Sequence, residues 1–449
     1  MKIKANLPSG FPEFLPEEQI IFDRIKQEIE RTYQLFGAIP IETPAIEQLD
    51  TLLSKGGEQK EMYAIHRVKG ENDESKMGLH FDLTVPLARY VSEHYNELIF
   101  PFKRYQIQPV WRGERPQSGR YRQFYQADID VIDRGELPLI YDAEMPTAVY
   151  YALSNIGLDD IQIHINNRKV IDALLGYCKV PQSLSGKVFK LIDEIFSIEK
   201  DNNTNLKHIE KFIELGIEKS SATMLLSFFE EIKMMNNQQI ISFVEGLAQK
   251  NIDFEIGVGE LKEVYKYMQI LGIPETKIVI NLQIVRGLDY YTGSVYETLL
   301  LSEPHIGSIC SGGRYENLVG TFSNEPLPGV GISIGLSRLA NVLIKKEQYK
   351  IQTTAKVFVA NLNEEYLPKY NETASILRNS GIGVEVMMAS KKLKKQLSFA
   401  HKKGFQFVLL MGETELENHT FILKNMSTSE QSEVKDVDLV KWIRQNLKT

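Results

Sequence analysis

Cysteine is nearly missing. Cys178 and Cys310 are the only two in 449 residues, they lie far apart, and neither sits in a CxxC pair. That spacing supports neither a disulfide framework nor a zinc ribbon. The eight histidines show no HExxH or other paired spacing, so no metal site of the protein's own is expected. No window approaches 18 uninterrupted apolar residues, and the N-terminus MKIKANLPSGFPEF has no apolar run of the signal-peptide kind. A cytoplasmic protein without a membrane span is therefore expected. An excess of positive charge is also missing: 52 Lys and Arg against 59 Asp and Glu give a net −7. That balance argues against an indiscriminate nucleic-acid binder but leaves room for local basic patches. Residues 355–449 carry 14 Lys and Arg against 11 Asp and Glu, so the tail is more basic than the rest.

What is present is an ordinary globular composition, 25% charged and 43% hydrophobic, over a length that implies two or three domains. The most informative stretch is Arg104 to Ile132, RYQIQPVWRGERPQSGRYRQFYQADIDVI. Tyr105, Ile107 and Val110 mark the apolar side of one strand. Phe124, Ala127, Ile129 and Val131 give period-2 character to a second. Between them Arg112, Glu114, Arg115, Arg120 and Arg122 crowd a loop punctuated by Pro116 and Gly119. So many guanidinium groups repel one another unless an anion is bound, and arginine suits bidentate capture of phosphate. A solvated basic hairpin is the alternative from these residues alone. Gln126, Asp128 and Asp130 share one face of the second strand. A pocket cationic at one end and anionic at the other suits an amino acid beside a nucleotide.

This stretch resembles motif 2 of the class II aminoacyl-tRNA synthetases, in the form found in the histidyl-tRNA synthetase family. Other segments resemble the same family in order. Pro16 opens a helix striped by Ile21, Ile25, Ile29 and Tyr33, and Gly37 ends it before a short strand at Ile39–Ile41. FGAIPIETPAIE resembles motif 1, which implies a homodimer. Lys55 to Lys76 reads as a mobile loop. LHFDLTVPLAR reads as an alternating strand running into a helix, with Asp82 and Thr84 on one strand face or Thr84 acting as a cap. It resembles the segment whose acid and threonine contact the substrate α-amino group.

Helical spacing at Val188, Leu191, Ile192, Ile195 and Phe196, and at Met224, Leu225, Phe228 and Phe229, marks a helical insertion over 167–262. Met234 and Met235 are expected in its core. Its position is similar to that of the insertion that contacts the tRNA acceptor arm. Arg286 ends an apolar strand, where burial without an anion would be costly. RGLDYYTG resembles a histidine-specific signature. SICSGGRYE resembles a second one, with Cys310 and Ser311 where small Gly or Ala residues are common. PGVGISIGLSRL reads as strand, glycine turn and helix and resembles motif 3; Ser337 stands in place of the acid usual before Arg338 and is expected to tune that arginine's orientation. Lys346–Thr354 reads as a polar linker. The alternating tail over 355–449 predicts a small α/β domain with a largely parallel sheet, and it resembles the class IIa anticodon-binding domain. Lys391, Lys392, Lys394 and Lys395 form either a phosphate contact or a solvated helix face.

The resemblance implies an α/β fold: an α+β catalytic domain over 1–345 with a mainly antiparallel sheet, the helical insertion, and the C-terminal anticodon-binding domain. It implies activation of L-histidine with ATP and Mg²⁺, followed by transfer to tRNA(His). Arg112 and Arg286 then clamp the α-phosphate, Phe124 and Arg338 sandwich adenine, and Glu114 reads its amino edge. Asp82, Thr84 and Gln126 bind the ammonium group, while Asp130, Tyr290 and Tyr291 serve histidine's side chain. Arg115 and Gln117 meet the acceptor end of the tRNA. The rival readings are a non-catalytic, histidine-binding regulatory paralogue of ATP phosphoribosyltransferase, another class IIa synthetase, and an RNA-binding protein without activity.

Overall fold

A computed structural model describes residues 5–54, 61–67, 76–116, 119–198, 205–249, 251–285, 291–316, 320, 322, 326–346 and 353–447, and the statements below concern those residues. The chain forms two compact units, 1–12 with 25–341 and 13–24 with 342–449. In chain order it begins with α1 (Pro16–Leu35), whose acids Glu17 and Glu18 sit at the positive end of the helix dipole. Ile25, Ile29 and Tyr33 are buried along the expected stripe, and the Tyr33 hydroxyl donates to the Ala127 carbonyl at 3.1 Å. Gly37, at φ +75°, turns the chain into β1 (Ile39–Pro40). Next come β2 (Ile46–Gln48), α2 (Leu49–Leu53), β3 (Ala64–Ile65) and β4 (Met77–Leu79), whose strands form a small antiparallel sheet in the order β2-β4-β3. The segment expected as a loop therefore contributes a strand at Ala64–Ile65; 55–60 and 68–75 lie outside the described residues.

The chain continues as α3 (Thr84–Glu93), β5 (Phe102–Trp111), β6 (Gln123–Ile132), α4 (Ile140–Asn155) and β7 (Ile161–Asn167). Six helices follow: α5 (Arg168–Tyr177), α6 (Ser185–Ile198), α7 (Asn205–Glu214), α8 (Lys219–Ile232), α9 (Asn237–Ala248) and α10 (Glu255–Ile270). The unit closes with β8 (Ile278–Ile280), β9 (Ser294–Leu300), β10 (Ser308–Tyr315), β11 (Gly329–Gly335) and α11 (Leu336–Leu343). Eight strands make one sheet in the order β1-β5-β6-β11-β10-β9-β7-β8. Its five inner pairings are antiparallel, and the two outermost, β1 with β5 and β7 with β8, are parallel.

On β6, residues 126–132 are buried throughout, Gln126, Asp128 and Asp130 included. Two expectations change here. Met234 is 90% exposed rather than core, because it follows the end of α8 in a turn. The helical run also extends past 262: α10 reaches Ile270 and packs on α4 and β7. At the outer edge of β8 the Asn237 side chain donates to the Ile278 carbonyl at 2.8 Å and accepts the Ile280 N–H at 2.9 Å, as a neighbouring strand would.

The second unit alternates β12 (Val357–Val359), α12 (Leu367–Asn379), β13 (Val384–Val386), α13 (Leu393–Lys402) and β14 (Phe407–Leu410). It then runs through α14 (Glu413–Glu417), β15 (Thr420–Asn425), β16 (Gln431–Lys435) and α15 (Leu439–Asn446). The order is β13-β12-β14-β15-β16, with β12 parallel to both its neighbours and the last two pairings antiparallel. The sheet is thus mixed rather than largely parallel. The connection between β15 and β16 is too short for a crossover, which needs a dozen residues or more, so the chain can only turn back as a hairpin. Tyr370, Leu377, Phe407, Leu409 and Ile443 fill one side of this sheet. Of the expected linker, 347–352 lies outside the described residues.

Candidate active site

A cavity of about 350 Å³ opens over the middle of the eight-stranded sheet. Its floor comes from β6, β9, β10 and β11, and its rim from the β5–β6 loop and the first turns of α3 and α11. One rung of the sheet underlies it: Gln106, Asp128, Ser333, Ser311, Glu297 and His164 stand opposite one another across β5, β6, β11, β10, β9 and β7. Directly opposed residues share a face, so the register alone makes this floor polar.

Arg112, Arg120 and Arg338 line the cationic end. The Arg112 backbone N–H donates to the Arg122 carbonyl at 2.8 Å, and its Nε donates to the Phe81 carbonyl at 3.2 Å. Its guanidinium lies 4.4 Å from the centre of the Phe81 ring and 5.2 Å from that of Phe124. These contacts fix the cation without neutralising it. Arg338, on the first turn of α11, donates to the Ser308 carbonyl. Burial lowers its pKa, and the charges of Arg120 and Arg112 lower it further, whereas Glu114 opposes the shift. The three guanidinium groups therefore repel one another across an open space, which favours an anionic guest. Arg115 is exposed and does not line the cavity; Arg122 braces the loop by donating to the carbonyls of Glu114 and Ser9.

The other end holds Asp82, Thr84 and Gln126. The predicted strand through Asp82 stops at Leu79, and Asp82 lies before α3. Its Oδ1 accepts the N–H groups of Thr84 at 3.1 Å and Val85 at 2.9 Å, so it is Asp82, not Thr84, that caps the helix. Burial raises the Asp82 pKa, against the stabilising N–H of Val85 and the charge of Arg112. Gln126 donates from Nε2 to the Ser333 hydroxyl at 2.7 Å. Tyr291 is on the wall, seated against Gly313, where a Cβ would lie 2.9 Å from its ring. Cys310 and Ser311 are on the wall too, and burial pushes the Cys310 thiol well up.

Asp130 does not line the cavity. It lies beneath, 2.8 Å from the guanidinium of the fully buried Arg104, and accepts the Tyr315 hydroxyl at 3.3 Å. A Cβ on Gly331 would overlap its carboxylate, so only glycine fits there. Asp128 is 3.8 Å from Arg104, and burial takes its carboxyl up to about 7. Ser337 does not orient Arg338: its hydroxyl accepts the Tyr125 N–H at 2.8 Å and ties α11 to β6. Arg286, Tyr290 and Gln117 lie outside the described residues.

The family model for histidyl-tRNA synthetase matches residues 10–339, and one for an anticodon-binding domain matches 356–446. The chain belongs to the histidyl-tRNA synthetase family. The histidine–tRNA ligase of Clostridium tetani is 40% identical over 447 residues, covering 98% of both chains. The crystal structure of histidyl-tRNA synthetase from Nostoc sp. PCC 7120 superposes with a TM-score of 0.88 at 37% identity, covering 99% of this chain and 100% of that one. A Bacillus halodurans structure described as an ATP phosphoribosyltransferase regulatory subunit/histidyl-tRNA synthetase has the same fold: TM-score 0.73 at 19% identity, with 91% and 98% coverage.

In this member of the histidyl-tRNA synthetase family, sequence reasoning placed Asp128 on the polar strand face but missed Arg104 and Ser333 as parts of the site, and Tyr296 and Glu297 on its wall. Arg104 carries no distinct signal, since it follows Lys103 in a strand that alternates with Gln106 and Gln108. Ser333 carries none until the register sets it opposite Asp128.

Proposed function

We propose that the chain is a histidine–tRNA ligase that forms histidyl-adenylate from ATP and L-histidine and passes the histidyl group to the 3′-end of tRNA(His) in the cytoplasm. The observation that carries this reading is the cavity's polarity: three guanidinium groups crowded at one end and the buried Asp82 carboxylate at the other. ATP phosphates belong at the first end and an ammonium group at the second. The histidine carboxylate attacks the α-phosphate and pyrophosphate leaves. The nucleophile is already an anion, so no general base is needed and the work is positioning and charge stabilisation.

Arg112 and Arg286 hold the α-phosphate, and Arg338 covers adenine against Phe124, with Glu114 at its amino edge. Asp82, Thr84 and Gln126 take the ammonium. Tyr290 and Tyr291 line the imidazole pocket, with Asp130 acting from beneath. Arg115, exposed on the loop, and Gln117 face the acceptor end. Mg²⁺ would come with ATP: among the described residues no cluster of three or more His, Cys, Asp or Glu could hold a metal, so its ligands would be mainly ATP phosphate oxygens, whose charge it would offset, with Glu297 the cavity-lining carboxylate that takes no part in holding adenine or the ammonium. Residues 1–345 form the catalytic domain, interrupted by the insertion at 167–262, and 355–449 after the linker bind the anticodon. The exposed apolar side chains Leu35 and Ile39 support a homodimer through the end of α1 and β1.

The test is ATP–pyrophosphate exchange with each standard amino acid in turn. Exchange with histidine alone is expected, and Arg112→Ala or Arg286→Ala should lower its kcat/KM by about 10²–10³-fold, the usual cost of one preorganised donor. Histidine binding without exchange would sink the reading in favour of the regulatory paralogue. The match of 356–446 to the anticodon-binding domain favours the ligase over that rival.

A further inference from the structure

Arg168 lies outside the cavity, yet it holds the chain on both sides of a segment proposed above to serve histidine. Tyr291 of that segment is on the cavity wall. Val285 precedes Arg286, and Gly293 follows Thr292. The Arg168 guanidinium donates to the Val285 carbonyl at 3.3 Å, and the Arg168 backbone N–H donates to the Gly293 carbonyl at 2.8 Å. Arg168 is the first residue of α5, so its N–H has no partner within the helix and can extend the β7–β9 ladder one step past Asn167 and Ser294. Neighbouring contacts reinforce each arm. Asn166 donates from Nδ2 to the Ile284 carbonyl at 3.0 Å. The Thr292 N–H donates to the Arg314 carbonyl at 2.9 Å, beside Tyr291 on Gly313.

The same guanidinium is also held from the helical insertion. It lies 3.7 Å from the centre of the Phe189 ring on α6, and Asp172, one turn along α5, stands 3.5 Å from its Nε. Phe189 is buried, and neither it nor Arg168 lines the cavity. A planar cation laid on a ring keeps its fork in one plane, so α6 fixes the direction in which the donor for Val285 points.

We infer that Arg168 is a positioning residue for histidine: it ties Val285 to Gly293 and takes its own orientation from Phe189, so α6, outside the cavity, sets how well histidine binds. This rests on the histidine-activating reading and adds to it a residue that touches no substrate. ATP is gripped mainly by Arg112 and Arg338, which stand on other elements, so the effect falls on one substrate and spares the other.

The experiment measures the KM values for histidine and for ATP in histidine-dependent ATP–pyrophosphate exchange. Arg168→Ala keeps the backbone bond to Gly293 and frees the Val285 arm. It should raise the KM for histidine about tenfold, as expected for a lost hydrogen bond from a charged group, with the KM for ATP within about twofold. Phe189→Leu removes only the ring beneath the guanidinium and should raise the KM for histidine about two- to fivefold, the worth of one cation–π contact. In the Arg168→Ala background Phe189→Leu should add nothing, because its effect passes through the guanidinium. Lys169→Gln is the control: it breaks the Lys169–Glu260 pair between α5 and α10, touches neither arm, and should leave the KM for histidine within about twofold. Partial unfolding lowers kcat through fewer active molecules and moves neither KM. A fall in kcat alone, an equal rise in both KM values, simple addition in the double variant, or a rise in Lys169→Gln as large as in Phe189→Leu would each overturn the proposal. Phe189→Leu stays apolar and leaves Arg168 in place, so it supplies a reading even if Arg168→Ala does not fold; an unchanged KM for histidine in it overturns the link to α6. A wild-type enzyme without histidine-dependent exchange would instead sink the parent reading, an outcome seen before any variant is made.

Discussion

Arg104 is fully buried between two strands, with Asp130 at 2.8 Å, Asp128 at 3.8 Å and the Leu83 carbonyl at 3.4 Å. Burying one cation among two carboxylates is expensive for each group alone and tolerable only as a set. Burial raises the pKa of both acids, and Arg104 works against the rise. Arg104→Met should therefore cost about 3–5 kcal/mol, the range for breaking a buried pair and leaving charge behind, read as a lower urea midpoint for the catalytic unit. A loss below about 1 kcal/mol would mean that the acids simply protonate, and that the pair does little for the fold. Sequence could find the arginine loop because Arg112, Arg115, Arg120 and Arg122 fall within eleven positions of one another. It could not find this triad, because Arg104 and Asp130 are 26 positions apart and meet only through the strand register.

Elements show the same division. The β5–β6 hairpin and α1 could be read from periodicity, since long amphipathic or alternating runs carry their own signal. The three-residue strand β4 and two-residue β3 carry none, and the resulting misreading moved Asp82 from a helix cap to a strand face. The cap has a consequence that separates structure from binding. Asp82→Asn keeps an oxygen for the N–H groups of Thr84 and Val85 but loses the charge, whereas Asp82→Ala loses both. Thermal stability should hold in the first and fall by about 0.5–2 kcal/mol in the second, while both raise the KM for histidine. If Asp82→Asn bound histidine normally, the ammonium role would belong to other residues. In the second unit the strand–helix alternation was legible, but α14 was not, and strand direction is set by connection length, which hydrophobic patterning does not encode.

At the scale of the whole molecule, the net charge of −7 must coexist with a polyanionic partner. Lys391, Lys392, Lys394 and Lys395 are all exposed at the start of α13, where the helix dipole adds to their field. Replacing all four with Ala should raise the KM for tRNA with amino-acid activation untouched. The slope of log affinity against log salt should flatten by up to about 0.7 for each phosphate that the lysines no longer neutralise. An unchanged salt slope would make them a solvated helix face.

The two ends of the eight-stranded sheet differ in a way that bears on assembly. Two-residue β1 is an edge strand with both residues exposed, and the homodimer proposed above would form on its outer side. Asn237 occupies the Ile278 carbonyl and the Ile280 N–H on the outer side of β8, which blunts that edge against a further strand. A sheet extensible at both ends could grow without limit, while one extensible at a single end stops at two copies related by a twofold axis. One side chain on α9 thus acts as a chain terminator for the particle. Asn237→Ala should leave the dimer intact and open a route to higher species, visible as concentration-dependent growth in light scattering; a variant that stays dimeric at every concentration would show that the β8 edge is closed by something else.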